Sequence, residues 1–124
     1  MRKSEYKDAL FQLLSEDIDD ITYHDKILLI EKWFIEYQRD NEDKRERANL
    51  RKPWTDEELH IILESAPTVS NCLKYAKLFH RGYGSIEQIY RWASTSDKEV
   101  AQKRQGDAFI AQIKKVSKEL GWRA

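Results

Sequence analysis

The sequence predicts an all-α protein, and three observations support that prediction. Apolar residues recur at helical spacing in several segments, and two segments begin with side-chain capping signals. Only four Gly and two Pro are present, so the chain has few residues for the tight turns of a β fold. Its 124 residues suit one domain or two very small ones. We therefore expect a helical bundle.

Two helices are expected before residue 50. The first spans Ser4 to Glu16, with Tyr6, Leu10, Leu13 and Leu14 on one face. The second begins near His24 or Asp25 and is apolar around most of its circumference, which is typical of a central helix. Its apolar positions are Ile27, Leu28, Leu29, Ile30, Trp33, Phe34, Ile35 and Tyr37.

Residues 38–49 have no apolar stripe, and they are read either as a solvated extension of the second helix or as a frayed linker. We place a domain boundary there. Residues 1–50 then form an N-terminal helical hairpin, which we expect to serve dimerisation or the docking of a protein partner.

A helix-start signal follows in the segment WTDEEL. Thr55 can cap the helix, and Glu58 can return a hydrogen bond to the backbone of Thr55, which makes a capping box. Trp54 and Leu59 occupy the two positions of a hydrophobic staple. A second short helix carries an apolar stripe of Val69, Cys72, Leu73, Ala76 and Phe79, and a third runs from Tyr83 to Ser94. Cys72 is expected to be a buried apolar thiol.

The segment 95–124 is predicted to be a C-terminal helix that packs on the preceding module. Ser96 and Glu99 form a further capping pattern, and Gly106 weakens or splits the helix. The apolar stripe consists of Phe109, Ile113, Val116 and Leu120, and Gly121 ends it.

Charge and composition narrow the function. The chain carries 22 basic and 22 acidic side chains. Residues 1–50 hold 9 basic and 13 acidic, residues 51–94 hold 6 and 5, and residues 95–124 hold 7 and 4. This gradient permits a polyanionic partner for the C-terminal part, and solvated helix faces would also account for it.

Several classes of function and location are not expected. No apolar run approaches a membrane span, and MRKSEYKDAL lacks the apolar stretch of a signal peptide, so a cytoplasmic location without membrane contact is expected. Three scattered His and one Cys give no zinc pattern, and no cofactor is expected. There is no phosphate-binding glycine loop and no His paired with a carboxylate, so the chain is not expected to be an enzyme.

The middle segment resembles the Myb/SANT-like helix-turn-helix family over residues 52–94. Trp54 and the acids after it resemble the start of the family's first helix. The run Tyr75-Ala76-Lys77-Leu78-Phe79-His80-Arg81 resembles the end of its second helix. Ile86 and Tyr90 fall where the third helix has an aliphatic residue and then an aromatic one. The family's Trp early in its second helix is absent here, and Gly82 replaces its usual Thr or Ser.

The resemblance implies a trihelical unit, residues 51–94, that binds duplex DNA through its third helix. Glu87, Gln88 and Arg91 stand at the positions with which this family contacts bases, and Gln and Arg pair with adenine and guanine edges in the major groove. In a register shifted by one or two positions, Gln88, Arg91 and Trp92 supply the family's Gln and Arg-Trp pair. Trp92 is expected to pack on a neighbouring helix or to contact the nucleic acid.

Flanking residues are expected to hold the phosphate backbone. Ser85 and the backbone N–H groups at the start of the third helix suit a phosphate, Arg81 and Tyr83 flank that face, and Arg51-Lys52 form a basic arm. The leading hypothesis is therefore a small DNA-binding protein that regulates transcription or another DNA transaction, of bacterial or phage type. The alternative is a protein-binding adaptor or inhibitor that uses the same SANT-like module without DNA.

Overall fold

The computed structural model describes all 124 residues, and it confirms the all-α prediction. The helices are α1 Lys3–Leu14, α2 Tyr23–Asp40, α3 Asp56–Leu63, α4 Val69–Leu78, α5 Tyr83–Ala93, α6 Asp97–Lys103 and α7 Ala108–Glu119. A 3₁₀ turn, Glu42–Lys44, lies between α2 and α3, and no strand is present. None of the helices has both the length and the hydropathy of a membrane span.

The chain divides into two compact units, which we call the first unit (Met1–Glu36) and the second unit (Tyr37–Ala124). The division falls earlier than the boundary that the sequence suggested near residue 50. The reason lies in residues 41–52, which are bonded to the helices of the second unit. Arg45 donates hydrogen bonds to the backbone carbonyls of Ala76 at 3.2 Å and Arg81 at 3.1 Å. The helical extension expected over residues 38–49 therefore holds only as far as Asp40, where α2 ends, and the residues after it are not a frayed linker.

The second unit has a core built by α3, α4, α5 and α7. Contacts join α4 to α5, α3 to α7, α5 to α7 and α3 to α5. The large aliphatic side chains with no exposed surface are Leu59, Ile62, Ile86, Ile89, Ile113 and Val116. Each such side chain contributes about 1.5–3 kcal/mol on burial, so apolar packing is the main stabilising term of this unit.

Local signals place the helix ends where the sequence predicted them. The Thr55 N–H donates to Glu58 Oε1 at 2.9 Å and the Glu58 N–H donates to Thr55 Oγ1 at 3.2 Å, so the capping box is confirmed. Gly106 has a φ of +81° and separates α6 from α7, which confirms the predicted split. Cys72 is buried, as expected, and burial raises the pKa of its thiol.

Three expectations about the core are wrong. Val69, the first residue of α4, is 47% exposed. Trp33, expected to lie on the apolar surface of a central helix, is also 47% exposed. The largest difference concerns α2, which was expected to be central but buries no apolar side chain; its buried residue is Lys26. Phe79 is only half-buried, with its ring 5.8 Å from that of Trp54 in an edge-to-face contact.

Candidate nucleic-acid interface

Helix α5 has two sharply different faces. The inward face carries Tyr83, Ile86, Ile89, Tyr90 and Ala93, all of which are buried. The outward face carries Gly84, Glu87, Gln88 and Arg91 at positions i, i+3, i+4 and i+7, and all four are exposed. No other helix covers this outward stripe, so its side chains are available to a ligand.

Hydrogen bonds and ring stacking hold α5 firmly in place. The Tyr90 hydroxyl donates to the Ile62 carbonyl of α3 at 2.7 Å, and the Tyr90 ring stacks on Trp122 at 6.3 Å between centroids. Burial raises the pKa of Tyr90. The Trp122 indole in turn donates to the Leu63 carbonyl at 2.9 Å, so Trp122 ties α5 to the end of α3. The exposed stripe of α5 therefore stands on a rigid support.

The first backbone donor of α5 is already occupied, contrary to expectation. The Tyr83 N–H donates to Glu42 Oε2 at 2.7 Å, so a carboxylate of the chain itself takes the place proposed for a phosphate. Glu42 is also paired with Arg45 at 3.5 Å and Arg47 at 3.7 Å. Tyr83 itself is only 6% exposed and packs inward, which overturns the prediction that it flanks the interface.

Arg81 is likewise a structural residue and not a surface one. It is 4% exposed, and its guanidinium lies 3.9 Å from the centre of the Trp54 ring. It donates hydrogen bonds to the carbonyls of Lys52 and, at 3.0 Å, Pro53. Burial lowers the pKa of Arg81, and its Nε has no hydrogen-bond partner. Its predicted role as a contact for nucleic acid is wrong because its donors face backbone carbonyls inside the protein.

Arg81 does, however, position the basic arm. Arg51 and Lys52 are both exposed, and the backbone of Lys52 is held by the Arg81 guanidinium. Just before the arm, the Asn49 side chain donates to the Phe79 carbonyl at 2.9 Å. Arg51 has a φ of +67°, which turns the chain sharply at this point. The arm is therefore an anchored loop with two free cationic side chains.

A cleft of about 450 Å³ lies between the arm and α5. Ser85 and Gln88 form the α5 side of the cleft, and Phe109 and Gln112 form the α7 side. The remaining lining residues are Arg51, Lys52, Pro53, Trp54, Arg81 and Ala108. The structure thus brings four of the predicted site residues that are still accessible, Arg51, Lys52, Ser85 and Gln88, to one concave surface.

A smaller hollow of about 190 Å³ continues this surface past Gln88. Arg91, Trp92 and Arg104 line it together with Asp107, Phe109 and Ile110. The Arg104 guanidinium lies 5.9 Å from the centre of the Trp92 ring, within cation–π range. Trp92 is half-buried here beside α7, so one edge of it remains open to solvent.

Glu87 and Arg91 form an exposed ion pair within α5. Arg91 Nη2 and Glu87 Oε1 are 3.5 Å apart, one helical turn from each other. Such surface pairs contribute only a few tenths of a kcal/mol, about 0.3–0.5 kcal/mol in helices, so a stronger partner can displace Glu87 from Arg91.

Arg104, Phe109 and Gln112 line the site, but the sequence did not predict a binding role for them. Gln112 donates to the Trp54 carbonyl at 3.0 Å and to Asp56 Oδ1 at 2.8 Å, which ties α7 to the start of α3. The hydrogen bond from Gln112 to the Asp56 carboxylate lowers the pKa of Asp56, and the hydrogen bond from Lys115 lowers it further. In the sequence, only the excess of basic residues in 95–124 indicated that Arg104 could belong to the site. Its position beside α5 depends on how α6 and α7 pack.

Comparison with known proteins places the chain in a family. The family model described as "Uncharacterised protein PM1205 C-terminal domain" matches residues 48–124, which include α3 to α7. The chain is 48% identical over 122 residues to "Uncharacterized protein PM1205" of Pasteurella multocida (strain Pm70), with 97% of each chain covered. No solved structure matches. On this evidence, the chain belongs to the PM1205 C-terminal domain family.

Proposed function

We propose that the second unit binds duplex DNA, with α5 as the helix that enters the major groove. The observation that carries this proposal is the uncovered stripe of Glu87, Gln88 and Arg91 on a rigid α5, continuous with the anchored basic arm. A helix of this kind, presented after a short turn from the preceding helix, is the arrangement of helix-turn-helix proteins.

The charge of the two units supports the proposal. The first unit has 5 basic and 9 acidic side chains, a net charge of −4, and the second unit has 17 basic and 13 acidic, a net charge of +4. The candidate surface itself gathers Arg51, Lys52, Arg91 and Arg104 against Glu87 and Asp107. Asp107 is already engaged, because it accepts a hydrogen bond from the Ile110 N–H at 3.0 Å. Cationic side chains therefore dominate where a phosphate backbone would pass.

Each accessible residue has a distinct role in this proposal. Gln88 hydrogen-bonds an adenine edge, and Arg91 exchanges Glu87 for a guanine edge. Arg51, Lys52 and Arg104 neutralise phosphates on either side of α5. The sequence resemblance to the Myb/SANT-like family agrees with this use of the third helix. Arg81 has an internal role, since it holds the backbone of Lys52 and Pro53 in place.

The first test is the salt dependence of binding. We expect fluorescence anisotropy with a labelled duplex of mixed sequence to report binding that weakens steeply with salt. Neutralising about three phosphates predicts a slope of roughly −3 for the logarithm of the binding constant against that of the salt concentration. No binding at low salt and micromolar protein would overturn the proposal.

The second test identifies the reading helix. The double variant Gln88→Ala/Arg91→Ala should weaken binding by about tenfold or more, because each base contact is worth roughly 1–3 kcal/mol. Lys32→Ala removes an exposed cation from the first unit and is the matched control, with affinity expected to stay unchanged. Equal affinity of the double variant and the wild type would show that α5 is not the reading helix.

One observation favours a second candidate, a protein-binding module. The Glu87–Arg91 pair gives α5 mixed charge, and Trp92 and Phe109 add apolar surface to the hollow beside it. Such a mixture suits a protein partner. In that case, a partner would bind with little salt dependence and duplex DNA would not bind at all, so the salt titration separates the two candidates.

A further inference from the structure

We propose that the first unit is a self-association module, in which the α1–α2 hairpins of two copies pair antiparallel to form a four-helix bundle. The starting observation is that this unit buries no apolar side chain. Seven of its large apolar residues are 43–74% exposed, namely Tyr6, Leu10, Phe11, Leu13, Tyr23, Leu28 and Trp33.

A two-helix hairpin without a core cannot hold its shape by apolar burial, since a segment this small exposes most of its surface in any arrangement. Aromatic side chains bury about 150–250 Å² each, and these side chains are already about half covered, so covering the seven would remove roughly 100 Å² each from water, or about 700 Å² per copy. That is close to the roughly 800 Å² that each partner buries in a stable protein–protein interface. The exposed area therefore matches what one partner of similar size would cover.

The spacing of apolar residues suits helix bundles, and it includes Ile27 and Ile30 of α2, which are half-buried. On α1 the residues Tyr6, Leu10 and Leu13 are separated by four and three positions, and on α2 the residues Tyr23, Ile27 and Ile30 show the same separations. Alternating steps of three and four produce the seam along which helices pack in coiled coils and four-helix bundles. A partner helix would lie along both seams.

A buried lysine of α2 links the two helices of the hairpin. Lys26 Nζ donates hydrogen bonds to the Leu14 carbonyl at 2.7 Å and the Glu16 carbonyl at 3.0 Å, and so caps the C-terminal end of α1. Beside this anchor, α1 and α2 enclose an open groove of about 550 Å³. Phe11, Leu14, Tyr23, Ile27 and Ile30 line it. The anchor sets the geometry of the hairpin, and the groove is left for side chains from another helix.

Charge at the two ends of the hairpin identifies the occupant as a second copy. The connection between α1 and α2 carries Glu16, Asp17, Asp19 and Asp20. The opposite end of α1 carries Arg2, Lys3 and Lys7 with Glu5 and Asp8, a net charge of +1. The ends are about 18 Å apart along a 12-residue helix, beyond the screening length of roughly 8–10 Å. An antiparallel pair places each acidic end beside a basic one, while a parallel pair would juxtapose eight acids.

The expected result is a dimer of the full chain. Sedimentation equilibrium should give a mass that rises from 14.8 kDa towards twice that value at micromolar to tens-of-micromolar concentrations, an affinity range typical of interfaces of about this size. A monomer at every concentration, or an assembly larger than a dimer, would overturn the proposal. The measurement contains no DNA, so its outcome is independent of the proposed function.

A matched pair of variants locates the interface. Leu10→Asp in α1 should yield a monomer, whereas Ile61→Asp in α3 should remain a dimer, although the two side chains are almost equally exposed at 43% and 44%. Circular dichroism is expected to show an unchanged unfolding transition of the second unit in both variants. Dissociation by Ile61→Asp, or persistence of the dimer in Leu10→Asp, would place the interface elsewhere.

Charge reversal tests the antiparallel arrangement while leaving every apolar side chain in place. Lys3→Glu/Lys7→Glu should weaken the dimer by about tenfold, because each lost ion pair is replaced by repulsion. Adding Asp17→Lys/Asp19→Lys to the same chain should restore the affinity. Failure of the second change to restore it would exclude the antiparallel pairing.

Discussion

At the level of single residues, charged side chains turned inward hold the candidate interface together. Arg81 fastens the backbone before α3, Glu42 caps α5, and Arg45 bonds the Ala76 and Arg81 carbonyls. None of these roles follows from residue type, since Arg and Glu are usually exposed. A buried Arg that bonds carbonyls is tolerated because hydrogen bonds and the Trp54 ring replace part of its hydration.

Arg81 should therefore contribute to the stability of the fold. An exposed arginine that only contacts a ligand would not. Arg81→Ala leaves the Lys52 and Pro53 carbonyls without their donor and uncovers Trp54. We expect the free energy of unfolding, measured by urea denaturation, to fall by about 2–4 kcal/mol.

Arg51→Ala is the control for this variant. Arg51 is an exposed cation in the same loop, and its removal should change stability by less than about 0.5 kcal/mol while weakening binding to duplex DNA. If both variants unfolded at the same urea concentration, Arg81 would not have the internal role described above.

At the level of elements, two glycines in the C-terminal half occupy different backbone settings. Gly84 lies inside α5, on the exposed stripe, and a Cβ there would meet no atom within 4 Å. Gly106 has equally open space, but its φ of +81° lies in the left-handed region that side chains rarely adopt. The two glycines therefore separate the effect of backbone conformation from that of packing.

Opposite effects of alanine at these two positions are expected. Gly84→Ala should raise the free energy of unfolding by about 0.5–1 kcal/mol, because alanine favours the helix and restricts the unfolded chain. Gly106→Ala should lower it by about 1 kcal/mol, because it strains the break between α6 and α7. Thermal unfolding followed by circular dichroism measures both, and a shift of the same sign in the two variants would contradict the assignment.

At the level of the whole molecule, the two units are stabilised by different interactions. The second unit is stabilised by a buried apolar core with added hydrogen bonds, and the buried hydrophobic residues all lie between Trp54 and Val116. The first unit has an internal polar anchor and an exposed apolar face. The family match to residues 48–124 falls entirely within the unit that has the core.

A truncated chain should show this difference directly. Residues 37–124 alone are expected to unfold cooperatively within a few degrees of the transition of the full chain, because no buried apolar side chain is removed. The fragment should be monomeric and should still bind duplex DNA with the Gln88 and Arg91 dependence described above. Residues 1–36 alone, at low concentration, should be largely unfolded.

An unfolded fragment 37–124 would contradict the independence of its core. The same fragment as a stable dimer would contradict the role of the first unit. Sedimentation and circular dichroism on the same samples distinguish these outcomes.

Local patterns in the sequence were sufficient for the helices and their ends. The Thr55–Glu58 capping box, the split at Gly106 and the two faces of α5 depend on neighbours three or four residues apart, so periodicity and capping chemistry predict them. The exposed positions Gln88 and Arg91 belong to this class. So do Arg51 and Lys52, which are exposed as predicted.

The burial of particular residues depended on tertiary packing. Arg81 and Tyr83 turned out to be internal, Glu42 reached across about 40 positions to cap α5, and α7 brought Phe109 and Gln112 to the cleft. The apolar α2 likewise had no covering layer in its own unit. Helical periodicity shows which side of a helix is apolar, but what packs against that side depends on contacts between residues distant in the chain.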